Sequence, residues 1–334
     1  MDLKHIIGAL LLATCSAFGH AAPTAPSFAD EAAVIDFARD LEQRHGFNAD
    51  ALLGQLAQVK PNAKVLQLIA PPATPLQRSW ERYRPRFLNE RRIAGGVRFW
   101  QENRLALAKA HAFYGVPEEI IVAIIGVETE YGRNTGGFSV LEALSTLAFH
   151  YPRRADFFRT ELEQFLLLSR ENGLDPLSVK GSFAGAIGIP QFMPGSQRRY
   201  AVDFDGDQKV DLAGSVDDAI GSVAHFLEQH GWQAGQTIAV AARVRGEPES
   251  TLIEAGLQPT LKAADLARQG IQAEINPEAT VALIDLVSPG RSTEYWLGLD
   301  NFYVITRYNR SSFYAMSVFQ LGEAIRGRMQ AQRR

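Results

Sequence analysis

The sequence predicts a mainly helical α+β protein with a small β-rich region near its C-terminal end. Apolar residues recur at spacings of three and four over most of the 334-residue chain, which is typical of helices. After residue 235 the pattern changes to β-branched and aromatic runs bounded by glycine or proline. Because 46% of the residues are apolar and 21% are charged, the chain can bury a core, which excludes a disordered protein.

The charge balance and the cysteine count exclude several functions. The chain has 34 basic and 37 acidic residues, so its net charge of −3 disfavours binding to nucleic acid. The single cysteine, Cys15, excludes intrachain disulfides, cysteine-based zinc sites and iron–sulfur clusters.

The N-terminus predicts export. An apolar run, Ile6–Ala13, follows a lysine and precedes small residues, and it is too short to span a bilayer. We expect residues 1–21 to be a signal peptide cleaved after Ala21, which leaves a soluble periplasmic protein. The alternative is a membrane-attached lipoprotein, since Leu12-Ala13-Thr14-Cys15 is similar to a bacterial lipobox. Thr14 fits that pattern poorly, so the soluble form is favoured.

Helical periodicity and its breaks predict each helix in turn. The pattern extends from Phe28 to about Ala70, and prolines 71, 72 and 75 then break it. It returns over Leu88–Gly115, and Val116-Pro117 begins another helix with acidic residues in its first turn. Further helices are predicted over Leu141–Phe149, Arg154–Ser169, Asp217–His230 and Ser312–Arg328. Strands are predicted over Thr237–Val244, Thr280–Val287 and Phe302–Tyr308.

A buried helix carries the first candidate for chemistry. Residues 120–132 are apolar on nearly every side, and Glu128 continues the stripe formed by Ile121, Ile124 and Ile125. Glu130 points roughly the opposite way. A carboxyl group in an apolar pocket has a raised pKa and can act as a general acid. The alternative is that Glu128 pairs with an arginine.

A second segment, Lys180–Ser196, has a backbone shaped by glycines and prolines. Ser182 and Gln191 offer neutral hydrogen-bonding groups, which suits a groove for an uncharged polar polymer such as a glycan. A tight helix-packing turn explains the same residues, and on this segment alone it is the favoured interpretation.

The third segment is similar to the start of an EF-hand calcium loop. Asp203, Asp205 and Asp207 occupy positions 1, 3 and 5. Position 6 is Gln208 instead of glycine, and position 12 is a glycine instead of glutamate. The closing ligand must therefore follow later, from residue 217 or 218. Calcium is favoured over a solvated acidic loop, because the three carboxylates would repel one another without a cation.

Together these segments resemble the lytic murein transglycosylase B family, which cleaves bacterial peptidoglycan. The resemblance covers about Phe28 to Arg328. It is carried by Gly126-Val-Glu-Thr-Glu-Tyr-Gly132, Tyr151-Pro-Arg-Arg154, Lys180-Gly-Ser-Phe-Ala-Gly185, Pro190-Gln-Phe-Met-Pro194, the aspartate loop and Ala219-Ile-Gly-Ser222.

The resemblance implies a lysozyme-like helical core with a helical domain and a small inserted β domain. The expected divisions are an N-terminal helical region (22–115), the catalytic core (116–235) with its EF-hand-like loop (203–218), a β-rich domain (236–310) and a C-terminal helix (311–334). Glu128 is implied as the sole catalytic acid/base. The implied substrate-binding residues are Tyr83, Arg153, Arg154, Ser182, Gln191, Tyr308 and Asn309. The implied calcium ligands are Asp203, Asp205, Asp207, the Lys209 carbonyl and Asp218.

The implied reaction is non-hydrolytic cleavage between N-acetylmuramic acid and N-acetylglucosamine, which leaves a 1,6-anhydromuramyl end. It needs no cofactor for catalysis, and the calcium ion is expected to be structural. Peptidoglycan glycan strands are the expected partner, and cell-wall synthases are candidate protein partners. Three alternatives remain: a lysozyme-type hydrolase, a non-catalytic wall-binding protein and a calcium-dependent structural module.

Overall fold

The computed structural model describes residues 27–71 and 78–332. The predicted signal peptide, Cys15 and two of the three loop prolines therefore lie outside the described residues. Within them, no single helix is both long and apolar enough to cross a membrane, although the helices Arg104–Tyr114 and Glu118–Thr129, bent by 115°, meet that test as a pair.

Fifteen α-helices and seven strands are found in the described ranges. The helices before residue 130 are α1 (Ala32–His45), α2 (Ala49–Leu56), α3 (Ala63–Ile69), α4 (Trp80–Tyr83), α5 (Glu90–Glu102), α6 (Arg104–Tyr114) and α7 (Glu118–Thr129). Those that follow are α8 (Val140–His150), α9 (Ala155–Glu171), α10 (Pro194–Tyr200), α11 (Val216–Gln229), α12 (Ser250–Glu254), α13 (Ala263–Arg268), α14 (Asp300–Thr306) and α15 (Ser312–Gln332). Short 3₁₀ turns cover Phe28–Asp30, Arg84–Arg86 and Pro152–Arg154. The strands are β1 (Phe138–Ser139), β2 (Lys180–Gly181), β3 (Ala239–Val244), β4 (Leu261–Lys262), β5 (Ile271–Gln272), β6 (Thr280–Leu286) and β7 (Glu294–Gly298).

The strands form two antiparallel sheets. β1 pairs with β2, and the other five follow the order β4-β6-β7-β3-β5. The mainly helical α+β class predicted from the sequence is confirmed, as are the strands at β3 and β6.

Three apolar clusters hold these elements. One joins the N-terminal helices α1–α3 to α8 and α9, a second surrounds α7, and a third lies in the β-rich region. The helices α5, α6, α11 and α15 all contact α7, so this helix lies at the centre of its cluster. The predicted domain boundaries themselves stay a prediction.

The predicted strand Phe302–Tyr308 is wrong, because these residues form most of helix α14. Phe302 and Ile305, three positions apart, are both fully buried, so packing overrides the β preference of the local sequence. Asn301 also fixes the start of the helix, since its amide donates to the carbonyls of Gln233 and Gln236. The central strand of the five-stranded sheet, β7, was not predicted.

The predicted helix Leu88–Gly115 is interrupted. Asn103 leaves helical geometry (φ −113°, ψ 26°), and its side-chain amide donates to the carbonyl of Phe99 at 2.8 Å. This local bond competes with continuation of the helix and separates α5 from α6.

Glycines form the slot that receives the ring of Tyr131. A methyl group on Gly126 would lie 2.6 Å from the Tyr131 hydroxyl, and one on Gly95 would lie 2.8 Å from the opposite edge of the ring. The hydroxyl donates to the carbonyl of Arg92 at 2.6 Å, so the ring cannot easily move aside.

Gly126→Ala should therefore destabilise the protein by about 1–3 kcal/mol through overpacking. Gly54→Ala is the matched control, because Gly54 is an exposed helical glycine with no atom near its missing methyl group. This control should stabilise the protein by about 0.5–1 kcal/mol, the usual gain from glycine to alanine in a helix. Urea unfolding of both variants measures the difference; equal stabilities would show that the slot tolerates a side chain.

Candidate active site

Helix α7 delivers Glu128 to the interior. Nine of its residues are buried, and Glu128 lies in its last turn, where it is half-buried. The helix ends immediately afterwards because Glu130 and Tyr131 adopt left-handed backbone angles, with φ of 52° and 63°. This reversal of the chain places Glu128 and Glu130 in different environments.

Glu128 is a carboxyl group poised to carry a proton. Burial raises its pKa to about 7, and the hydroxyl of Tyr314, which donates to Glu128 Oε1 at 2.6 Å, opposes part of that rise. Among the described residues no lysine, arginine or histidine forms an ion pair with Glu128. The alternative of an arginine partner is therefore not realised, and the group can hold its proton near neutral pH.

Glu130 has the opposite surroundings. Its buried carboxylate forms an ion pair with Arg91 and lies 3.7 Å from Arg133. The two arginines compensate the hydration that this carboxylate loses on burial. Glu130 therefore stabilises the chain reversal and is not available as a second acid or base.

Tyrosines surround Glu128. The ring of Tyr314 stacks on that of Tyr308, with centroids 6.4 Å apart, and the Tyr308 hydroxyl donates to the Pro190 carbonyl at 2.7 Å. Burial and then the nearby charge of Glu128 raise the pKa of Tyr83 and of Tyr308. Both predicted groove tyrosines thus lie close to the candidate acid.

Tyr314 is the site residue that the sequence did not reveal. It lies 186 positions after Glu128, inside a helix whose sequence predicted only packing. Nothing in the local sequence marks it, because its role depends on how α15 packs across α7.

Ser182 and Gln191 hold the loop that forms one wall beside the tyrosines. Gln191 has a left-handed φ of 54°, and its amide donates to the carbonyls of Thr135 (3.0 Å) and Gly188 (2.9 Å). The Ser182 hydroxyl accepts from the N–H of Ala186 at 3.0 Å. In this structure both side chains have structural partners, and their carbonyl and hydroxyl groups still offer further hydrogen bonds.

The remaining predicted groove residues are exposed. Arg153 and Arg154 lie in the turn before α9, where the Arg154 guanidinium is 4.2 Å from the Phe157 ring centroid. Asn309 is exposed directly after Tyr308. No hydrogen bond or ion pair in the described ranges joins these three to Glu128, so their role stays a prediction.

The acidic loop brings three carboxylates together. Oxygen atoms of Asp203, Asp205 and Asp218 all lie within 4.8 Å of one another, whereas Asp207 and Asp217 are outside this group. Lys209 contributes its N–H to the carboxylate of Asp207 at 2.8 Å. A set of oxygen ligands of this kind suits calcium.

Backbone geometry explains how the loop departs from the EF-hand pattern. Gln208, at the position of the usual glycine, adopts the left-handed conformation that the turn requires, with φ 72°. Asp218 is 1% exposed and accepts from the N–H groups of Phe204 (2.7 Å) and Asp211 (2.8 Å), so it anchors the loop to α11.

A short chain of contacts links this loop to Glu128. The N–H of Ile189 donates to the Leu212 carbonyl at 2.7 Å, and the Ile189 carbonyl accepts from the Thr129 hydroxyl at 2.8 Å. Because Thr129 directly follows Glu128, the acidic loop supports the end of α7.

A buried carboxyl group with a raised pKa, placed among tyrosines, is typical of an acid–base enzyme. Comparison with known proteins agrees. The model of the family described as "Transglycosylase SLT domain" matches residues 29–323. The chain belongs to this family, which confirms the resemblance seen in the sequence.

Individual relatives are similar along most of their length. The membrane-bound lytic murein transglycosylase B of Escherichia coli (strain K12) is 43% identical over 311 residues, which cover 89% of this chain and 84% of that protein. Soluble lytic transglycosylase SltB1 from Pseudomonas aeruginosa has a TM-score of 0.83 and 46% identity, covering 89% of this chain and 99% of that one. Escherichia coli Slt35, solved in complex with calcium, has a TM-score of 0.82 and 41% identity, covering 91% of this chain and 96% of that one.

Tyr314→Phe should move the pH dependence of activity. The tyrosine hydroxyl favours the charged form of Glu128, so its removal raises the pKa of that carboxyl further. If a protonated Glu128 is required, kcat/KM of the wild type falls as pH rises through about 7, and the fall begins at higher pH in the variant.

The measurement is kcat/KM between pH 5 and 9 for both proteins. Tyr303→Phe is the control, because the one hydrogen bond of the Tyr303 hydroxyl within the described part of the chain is to the exposed Arg307, at 3.5 Å. If kcat/KM fell at the same alkaline pH in Tyr314→Phe as in the wild type, the titration of Glu128 would not be the cause of that fall.

Proposed function

We propose that this chain is a lytic transglycosylase that cleaves the β-1,4 bond between N-acetylmuramic acid and N-acetylglucosamine in peptidoglycan, with Glu128 as its only acid/base. The observation that carries the proposal is a carboxyl group with a pKa of about 7 that has a tyrosine partner and no cation. Membership of the transglycosylase family and the murein transglycosylase relatives support it.

The first step uses the proton that burial keeps on Glu128. Glu128 gives this proton to the glycosidic oxygen, the bond from that oxygen to C1 of the muramyl sugar breaks, and N-acetylglucosamine leaves as an alcohol. Positive charge develops at C1, and the acetamido oxygen of the same muramyl sugar stabilises it. General acid catalysis of this kind contributes about 10²–10⁴-fold to the rate.

The second step returns the proton. The sugar's own O6 hydroxyl attacks C1, and the Glu128 carboxylate takes the hydroxyl proton. A 1,6-anhydro ring forms, no water is consumed, and Glu128 is protonated again for the next cycle. The Tyr314 hydroxyl stabilises the carboxylate between the two steps through its 2.6 Å hydrogen bond.

The arginine partners of Glu130, the carboxylate two residues from the acid, favour this route over a double-displacement glycosidase. A retaining glycosidase normally has a second carboxyl group about 5–5.5 Å from the acid, which forms a covalent intermediate. Here Glu130 is already paired with Arg91 and Arg133. The nucleophile therefore has to come from the substrate.

We further propose that Asp203, Asp205 and Asp218 bind one calcium ion with a structural role. Their clustered oxygens support this, and so does the calcium complex of the relative Slt35. The ion would neutralise the clustered carboxylates and fix the loop that contacts Ile189 through Leu212.

The proposed substrate requires a place in the cell envelope. One relative is named as membrane-bound and another as soluble, so similar proteins occur in both forms. We propose a soluble periplasmic enzyme that acts on glycan strands, with lipidation of Cys15 as the alternative. Cell-wall synthases stay candidate partners.

Glu128→Gln should lower the rate at which anhydromuropeptides are released from purified peptidoglycan by about 10²-fold or more, because the amide has no proton to transfer. The fold should be retained, because glutamine has a similar shape and still accepts a hydrogen bond. Mass spectrometry of the digest measures the products. Glu119→Gln is the matched control on the same helix, because Glu119 pairs with Arg326 away from Tyr314, and its activity should stay near that of the wild type.

The same digest separates the alternatives. A lysozyme-type hydrolase would leave reducing ends in place of anhydro ends, and a wall-binding protein would release nothing. If Glu128→Gln still produced anhydro ends at the wild-type rate, the acid would be assigned wrongly and Glu130 would be tested next.

Excess calcium should raise the melting temperature of the wild type, since a ligand that binds only the folded form stabilises it by mass action. The shift should disappear in Asp205→Ala and persist in Asp217→Ala, because Asp205 belongs to the carboxylate cluster and Asp217 does not. Differential scanning calorimetry with calcium or a chelator measures it. If calcium did not change the melting temperature of the wild type, the loop would be a solvated acidic turn that binds no ion.

A further inference from the structure

A cavity of about 1120 Å³ lies away from Glu128, between the five-stranded sheet and the outer face of α15. Its walls come from β3, the segment after β5, α13 and α15. Many of the lining residues are alanines, including Ala241, Ala264 and Ala267, so a ligand can approach the backbone closely. Trp296 and Phe319, which contact each other edge to face, add an aromatic surface.

On the edge that faces β5, strand β3 is paired along only part of its length. Successive residues of an antiparallel strand direct their N–H and C=O groups to opposite sides. The N–H of Arg245 donates to the Gly270 carbonyl next to β5 at 3.1 Å, so Ala241 and Ala239, four and six residues earlier, direct their groups to the same edge. However, β5 pairs only with residues 243 and 244, and no hydrogen bond from the described residues fills the edge beside Ala241. The cavity therefore contains free backbone groups that peptide amides can bind.

The rim carries charges of both signs. Arg84 and Arg243 are exposed, and neither has a carboxylate within 4 Å among the described residues. Glu274 is exposed and likewise has no cation partner in those ranges. A ligand that fits this rim carries carboxylates and an amine.

The cavity and the groove lie on either side of one short segment. Besides burial, the charge of the nearby Glu128 carboxylate raises the pKa of Tyr83, whereas the next residue, Arg84, lines the cavity. Adjacent Cα atoms are about 3.8 Å apart, and an extended peptide of four residues spans up to about 14 Å. Such a peptide is longer than the separation of the two adjacent Cα atoms, at Tyr83 and Arg84, that border the groove and the cavity.

We propose that this cavity binds the peptide stem of peptidoglycan. The stem has small alanine side chains, peptide amides, several carboxylates and the amine of its diamino acid, which match the alanine walls, the free strand edge, the two arginines and Glu274. The inference rests on the proposed function, since an enzyme of peptidoglycan is one that meets this peptide. The site adds recognition of the peptide to the cleavage of the glycan.

The test is calorimetric titration of the full chain with the free tetrapeptide L-Ala-γ-D-Glu-diaminopimelyl-D-Ala. We expect saturable binding to the wild type that weakens as salt is raised. Arg243→Gln removes one charged donor and should weaken binding about tenfold. Ala267→Trp fills the cavity from an exposed position on α13 and should weaken binding at least as much.

Arg245→Gln is the matched control, because Arg245 lies on the same edge of the sheet but outside the cavity, and binding should be unchanged. Absence of saturable binding to the wild type would overturn the proposal. It would also be overturned if Arg243→Gln and Ala267→Trp both bound the peptide as tightly as the wild type. Since no turnover is measured, loss of transglycosylase activity in another assay is a separate result that concerns Glu128.

Discussion

The architecture around the site depends on keeping one carboxyl group out of water. A carboxyl group loses hydration when it is buried, so its neutral form is favoured and it retains a proton near neutral pH. Helix α7 achieves this by being apolar on all sides, and α5, α6, α11 and α15 pack around it. The tyrosines near Glu128 complete the enclosure, and the glutamate stays partly accessible to a bound sugar.

The end of α7 separates two carboxyl groups that are only two residues apart. Left-handed angles at Glu130 and Tyr131 turn the chain, so Glu130 meets Arg91 while Glu128 meets Tyr314. The turn is held in place by the ring of Tyr131, which fits against Gly126 and Gly95. Glu130 thereby holds the turn through its arginine partners, whereas Glu128 has a raised pKa that suits proton transfer.

The acidic loop extends this support to the surface. Lys109 of α6 donates to the Phe204 carbonyl at 2.6 Å and its ammonium lies 4.1 Å from the Phe204 ring centroid. Asp218 binds three backbone N–H groups of the same loop. The loop thus joins α6 and α11 to the segment near Ile189 that contacts Thr129, and an ion bound there would stabilise the position of the acid at a distance.

The sequence by itself determined the features that depend on local patterns. Its apolar periodicity predicted the burial of Glu128, and alternating aspartates predicted the acidic loop. Only the tertiary structure decided that Tyr314 contacts Glu128 and that Asp218, not Asp217, joins the carboxylate cluster. The same holds for Phe302, which packing placed in a helix against its β preference. Periodicity reports which face of a segment is buried, whereas the partner on that face is set by segments far away along the chain.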